Sequence, residues 1–247
     1  MAGYIDLLIA TLLLSLRIGP ALMFAPPFTY LRTPTLVRVC LMFGLSAWLV
    51  STADIAPIPD SALISYAISE LLMGLTLTLC LQIAFAAILT AGRAIDFQVG
   101  FGLALLADPT LRTQMPLIGT LLVYAAGMVF FSTGGLADFL AIWSASLDRI
   151  PIGGFSIGPE ISPLLQFISA AFALAFGLVG LVLLVMFMLD IAIAFLSRTV
   201  PQMNVLMLGF QVKTLALLIT LPFVFSLSGS LFLRIVRLAI DTTPQLF

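Results

Sequence analysis

Long apolar runs joined by short polar connections make up most of the chain. They cover residues 4–28, 39–53, 63–92, 116–136, 163–189 and 214–233. A helix crossing a bilayer needs about 20 predominantly apolar residues, within a range of roughly 17 to 25. The pattern therefore predicts an all-α integral membrane protein with about six hydrophobic segments. The run lengths are uneven. The second is short, the first contains Arg17 and Pro20, and the third continues past Arg93 into a further apolar piece at 97–107. A continuous helix over 163–196 would reach roughly 50 Å against a hydrocarbon core of about 30 Å. Some helices are thus expected to bend, tilt or leave the bilayer, with Gly177 and Gly180 as bending points in the fifth run.

Composition sharpens this picture. The chain has 247 residues, 62% of them hydrophobic and 9% charged, with a mean hydropathy of +1.25. That is more apolar surface than a water-soluble core of this size hides, so lipid or protein neighbours must cover it. A net charge of -1 without clustered basic residues removes nucleic-acid binding. Arg17 is the first positive residue and no small-residue cleavage site follows the first run, so residues 4–28 read as a retained segment rather than a cleaved signal. Cys40 and Cys80 lie inside apolar runs, where free thiols behave as small core residues. With no repeat, low-complexity tract or hydrophilic domain, residues 1–247 read as one helical domain. Arg32 with Arg38, Arg93 with Arg112, and Arg198 with Lys213 alternate with weakly charged connections, which favours both termini on the non-cytoplasmic side; Arg234 and Arg237 oppose it.

Candidate chemistry is sparse. Histidine is absent, which removes the commonest general base and metal ligand. Two distant cysteines form no zinc pattern, and no phosphate-binding glycine loop occurs, so neither an enzyme nor a cofactor is expected. Arg17, Glu70 and Asp190 stand inside apolar runs, where a charge at mid-bilayer costs about 2.5–3.5 kcal/mol on the mildest scales. Two readings stay open: each is tied to a neighbouring helix or helix end, or Glu70 and Asp190 carry protons in a small-solute transporter. Glu70, Gly74, Thr78 and Gln82 recur every fourth residue and form a polar seam down one side of a helix. That seam suits close helix packing, and it also suits the wall of a conduit. Asp190, Ala194 and Arg198 form a weaker series whose acid and base lie two turns apart and do not meet directly.

The strip "SRTVPQMNVLMLGFQVK" at 197–213 separates the last two runs. Pro201 lacks a donor and disfavours helix at Val200, while Gln202 and Asn204 can satisfy exposed backbone groups. Arg198 falls at the end of the preceding helix, where its charge meets the negative end of the dipole. The strip reads as the tip of a helical hairpin.

Further segments occur in a fixed order: "LRIGPALMFAPPF" near the start, "TAGRAIDFQVGFGLALLADPTLRTQMP" at 90–116, "FFSTGG" at 130–135 and "IPIGG" at 150–154. Together with the hairpin strip, this set resembles the FliR/SctT-like export-gate family of type III secretion over nearly the whole chain. Length and motif order favour its flagellar branch over the virulence injectisomes. The resemblance implies a structural and gating subunit of a protein-export channel, with a FliP-like part fused to a FliQ-like part. It implies FliP, FliQ, FlhB and other export-apparatus and basal-body proteins as partners, unfolded export substrates in transit, and membrane lipid around it. The implied location is the flagellar basal body at the bacterial inner membrane. It also implies that the stretch containing Phe101, Gly102, Asp108, Pro109, Met115 and Pro116 belongs to a loop that helps plug the closed pore; an ordinary interhelical turn is the lesser reading of the residues alone. The hairpin tip with Arg198, Pro201, Asn204 and Lys213 would lie towards the cytoplasmic entrance and contact partners there, Arg198 and Lys213 meeting acidic groups of partners or lipid head groups. Leu136 and Arg93 replace the His and acidic residue common in relatives, so no role is carried over to them.

Overall fold

The computed structural model describes residues 2–26, 28–30, 33–52, 59, 62–101, 116–155, 162–200, 202 and 204–242. Seven helices occupy them: α1 (Ala2–Phe24), α2 (Thr35–Thr52), α3 (Leu63–Val99), α4 (Leu117–Ser132), α5 (Gly135–Arg149), α6 (Ser162–Thr199) and α7 (Val205–Thr242). No strand is present among the described residues. Five helices are long and apolar enough to cross a membrane, or six spans if α4 and α5 count as one broken span. The protein is an all-α integral membrane protein.

Five of the six apolar runs became long helices, each extended into flanking residues that the hydropathy pattern excluded. α3 continues seamlessly through Arg93, and α6 is continuous through Gly177 and Gly180, the expected bending points. A Cβ at either glycine would meet nothing within 4 Å, so neither marks a close backbone approach. The fourth run behaves differently. It stops at Ser132, turns at Gly134 with φ 83°, and resumes as α5, an element that hydropathy did not predict. Gly134 suits this corner because the left-handed region costs a side chain but not glycine. Gly135 follows because a Cβ there would lie 2.5 Å from the Phe130 ring. α5 buries Gly135, Phe139, Trp143 and Ser146, a one-sided stripe at helical spacing, and exposes Asp138, Asp148 and Arg149. At 15 residues, or roughly 22 Å, it is too short to span a bilayer on its own.

The contacts divide the chain into two compact units. One comprises Met1–Ile83, Phe130–Ile168 and Val236–Phe247, and the other Ala84–Val129 and Ser169–Ile235. In the first, α1 packs on α2, where Gly19 faces the sulfur of Met42, and on the first half of α3. Its aromatic cluster joins Phe28, Phe130, Phe131, Phe139 and Trp143, with Phe139 and Trp143 ring centres 4.4 Å apart. In the second, the end of α3 packs on α4, with contacts from α6 and α7 described below.

Candidate functional site: two polar centres

The first unit contains a buried charge pair. Arg17 and Glu70 are both 0% exposed. Arg17 Nε donates to Glu70 Oε2 at 2.6 Å and Arg17 Nη2 to Oε1 at 2.9 Å, a bidentate fork. Two further bonds leave the guanidinium: Nη1 reaches Ser146 Oγ at 3.2 Å and Nη2 the Ile150 carbonyl at 3.1 Å. Glu70 Oε1 also accepts from the Gly153 amide at 3.0 Å. One residue earlier, Ser69 Oγ donates to the Phe155 carbonyl at 3.1 Å and accepts from its amide at 3.0 Å. The "IPIGG" segment is thus fastened to the first turns of α3. Gly153 has φ 82°, and a Cβ on it would lie 2.3 Å from the Tyr66 ring, which explains the glycine.

The every-fourth-residue seam on α3 faces α1. Gly74 lets the two backbones touch, since a Cβ there would be 2.4 Å from the Arg17 carbonyl oxygen and 2.8 Å from that of Leu16. Pro20 lies inside α1 and has no N–H, so it leaves the Leu16 carbonyl without its usual i+4 donor on the side where Gly74 approaches. Thr78 is buried and donates to the Gly74 carbonyl at 2.7 Å. Gln82 donates to the Phe24 carbonyl at 3.2 Å, and Arg38 to those of Met23 and Phe28 at 3.3 and 3.1 Å, so side chains close the C-terminal end of α1. A groove of about 300 Å³ beside the lower seam is lined by Phe24, Leu72, Leu75, Thr76, Thr78, Leu79 and Gln82.

The second unit carries two polar ties at the end of α3. Asp96 Oδ1 and Oδ2 accept from the amides of Ile118 and Gly119 at 3.0 and 3.3 Å. A carboxylate at a helix N-terminus satisfies orphan donors and opposes the dipole, worth about 0.3–1 kcal/mol when exposed and up to ~2 when partly buried. One turn earlier, a Cβ on Gly92 would lie 2.3 Å from the Gly119 Cα, so α3 and α4 touch backbone to backbone. The second tie joins Asp190 to Lys213 in an ion pair, with Gln98 Nε2 donating to Asp190 Oδ2 at 3.0 Å and Lys213 Nζ to the Gln98 carbonyl at 2.9 Å. Phe101 rests edge-on against Phe210 with ring centres 6.0 Å apart.

Among the residues expected to form a plug loop, Phe101 ends the turn after α3 and Pro116 precedes α4, its carbonyl accepting from Thr120 at 2.9 Å. Gly102, Asp108, Pro109 and Met115 lie outside the described residues, as does Pro201 of the hairpin tip. α6 ends at Thr199 and α7 begins at Val205. Asn204 caps α7 by accepting from the Met207 amide at 3.2 Å. Arg198 is exposed at the end of α6, whereas Lys213, eight residues into α7, is occupied by Asp190 and Gln98. Sequence spacing missed Asp96, Ser146 and Gln98. For Asp96 a signal existed: Gly92 and Asp96 lie four apart on one helix face, a small residue followed by an acceptor one turn later.

The family model of bacterial export proteins, family 1, matches residues 8–239. The chain belongs to that family. This export protein is 30% identical to the flagellar biosynthetic protein FliR of Bacillus subtilis (strain 168), across 100% of the chain and 97% of that relative. It is 30% identical to FliR of Aquifex aeolicus (strain VF5), across 89% and 88% of the two chains. A 26% identity to the surface presentation of antigens protein SpaR of Salmonella typhimurium covers 83% and 79%. The export protein is accordingly a FliR/SctT-like component of a type III export apparatus, embedded in a membrane.

Proposed function

We propose that this export protein is a non-enzymatic, structural and gating subunit of the flagellar protein-export channel in the bacterial inner membrane. It would supply part of the pore wall, with the stretch 101–116 forming part of a displaceable plug. FliP, FliQ and FlhB would be its neighbours, and unfolded export substrates would pass it without being modified. The observation that carries the reading is the match over nearly the full length of relatives named for flagellar biosynthesis. The geometry agrees with it in one respect: apolar side chains such as Phe176, Leu184, Phe187, Phe195, Leu215 and Phe223 stand exposed on α6 and α7, as on a subunit covered by lipid or by other chains.

A self-sufficient proton-coupled transporter fits less well. Both oxygens of Glu70 are engaged by Arg17, and Asp190 is engaged by Lys213 and Gln98, so both carboxylates are occupied in holding helices together. Deleting 101–116 is expected to make assembled gates leak small ions in planar-bilayer recordings. Closed-level conductance with intact assembly would refute the plug. Solute uptake by the purified chain alone in liposomes, abolished by Glu70→Gln, would favour the transporter.

A further inference from the structure

We propose that Arg93 is a lipid site: its guanidinium takes the headgroup phosphate of an anionic phospholipid that lies against the outer face of α3. The inference rests on the chain being embedded in a membrane and is independent of the plug.

α3 turns one stripe outward, on which Leu75, Leu79, Ala86, Thr90, Arg93 and Phe97 recur at helical spacing, all of them exposed. Among the described exposed residues of α3, Arg93 alone is charged. The other two charges of the helix are buried and occupied, Glu70 by Arg17 and Asp96 by the α4 amides. Thr90 turns its hydroxyl back to the Ala86 carbonyl at 2.7 Å. Among the described residues Arg93 has no carboxylate and no hydrogen-bond acceptor of its own. A guanidinium left so in hydrocarbon costs about 2.5–3.5 kcal/mol on the mildest scales, so the partner must come from outside the chain.

Two helices of the second unit place Arg93 at the edge of the apolar layer. It closes a run of 22 uncharged residues, 71–92, which rises roughly 33 Å along α3. On α7, Lys213 opens a run of 20 uncharged residues, 214–233, which rises roughly 30 Å. A hydrocarbon core is about 30 Å thick. The two run ends coincide in space: Lys213 Nζ donates to the Gln98 carbonyl at 2.9 Å, and Phe101 meets Phe210, so α7 descends antiparallel to α3 from this level. The uncharged part of α6 ends there too, at Asp190, which holds Lys213 and Gln98. Asp190 and Lys213 neutralise each other, and Arg93 is left as the uncompensated charge. Gln98 lies five residues, roughly 7.5 Å, beyond Arg93, a rise that an arginine snorkels across with its stem on apolar surface. The stripe also says what covers it. Where α3 meets helices of its own chain it presents glycine, Gly74 to α1 and Gly92 to α4. Outward it presents Leu75, Leu79 and Phe97, the last 73% exposed, which suit acyl chains better than close backbone approach. A guanidinium fork matches a phosphate, and a lipid with net negative charge is preferred over a zwitterionic one because nothing else balances Arg93.

The test places the full chain in nanodiscs of equimolar phosphatidylcholine and phosphatidylglycerol and weighs the retained lipids by native mass spectrometry. Arg93→Gln is expected to lower the ratio of retained phosphatidylglycerol to phosphatidylcholine about fivefold, the contribution of one basic side chain at an anionic surface. Arg93→Lys, which keeps the charge, should retain most of the wild-type ratio. An unchanged ratio in Arg93→Gln overturns the site. Inorganic phosphate that lowers the wild-type ratio as far as the substitution does would make it a site for a soluble anion and overturns the lipid. A second measurement uses assembled export gates with a benzoylphenylalanine photo-crosslinker in place of Phe97, which leaves Arg93 intact. Crosslinks to phospholipid are expected. Crosslinks to a neighbouring subunit instead would show that protein covers this face, and the proposal falls.

Discussion

Glu70→Ala is expected to destabilise the folded chain by about 3–5 kcal/mol, the range for leaving one member of a buried ion pair without its partner. The substitution removes both acceptors of the Arg17 fork and the acceptor of the Gly153 amide. Arg17, fully buried, would keep only Ser146 and the Ile150 carbonyl. Replacing both charges, Arg17→Met with Glu70→Leu, should recover part of that loss: no buried charge is left unpaired, although the Gly153 amide and the Ile150 carbonyl still lose these partners. Denaturant unfolding in lipid nanodiscs, read as a double-mutant cycle, separates the two. A Glu70→Ala variant within about 0.5 kcal/mol of wild type would mean that the pair is hydrated and weak.

The second large effect is expected at Gly74. Gly74→Leu inserts a branched side chain where even a Cβ would meet the Arg17 carbonyl at 2.4 Å. The obstacle is backbone, so no side-chain rotation relieves it and α1 must move. Overpacking costs about 1–3 kcal/mol, occasionally more, and this site belongs at the upper end. Displacing α1 also carries Arg17 away from Glu70, so the loss should not add to that of Glu70→Ala. Gly44→Leu is the control, since a Cβ there meets nothing within 4 Å. Equal unfolding midpoints for Gly74→Leu and Gly44→Leu would refute the close crossing.

Hydropathy located the long helices because lipid and buried interfaces impose the same apolar requirement over many residues. It failed at α5, whose buried residues Phe139, Trp143 and Ser146 are interleaved with small ones and flanked by Asp138, Asp148 and Arg149, a one-sided pattern that a run-length criterion does not see. The seam at Glu70, Gly74, Thr78 and Gln82 was legible from its spacing. Its partner was not, because Arg17 lies 53 positions away and nothing in periodicity says which helix comes alongside. The same holds for Lys213. The strip around Pro201 suggests a terminal basic residue, but α7 begins at Val205 and carries Lys213 to Asp190 instead. The glycines of the quoted segments acquired distinct reasons only with geometry: a corner at Gly134, a ring contact at Gly153, a backbone contact at Gly92.

The fork on Arg17 also constrains how the chain is made. Its carboxylate partner is synthesised 53 residues later and its hydroxyl partner 129 residues later. At about 5–20 residues per second, the guanidinium waits roughly 3–10 s for Glu70 alone. A lone arginine in hydrocarbon costs about 2.5–3.5 kcal/mol on translocon scales. Until the third helix emerges the first carries that cost without compensation, so nascent chains halted before Glu70 should be extracted from the bilayer by alkali more readily than chains halted after it.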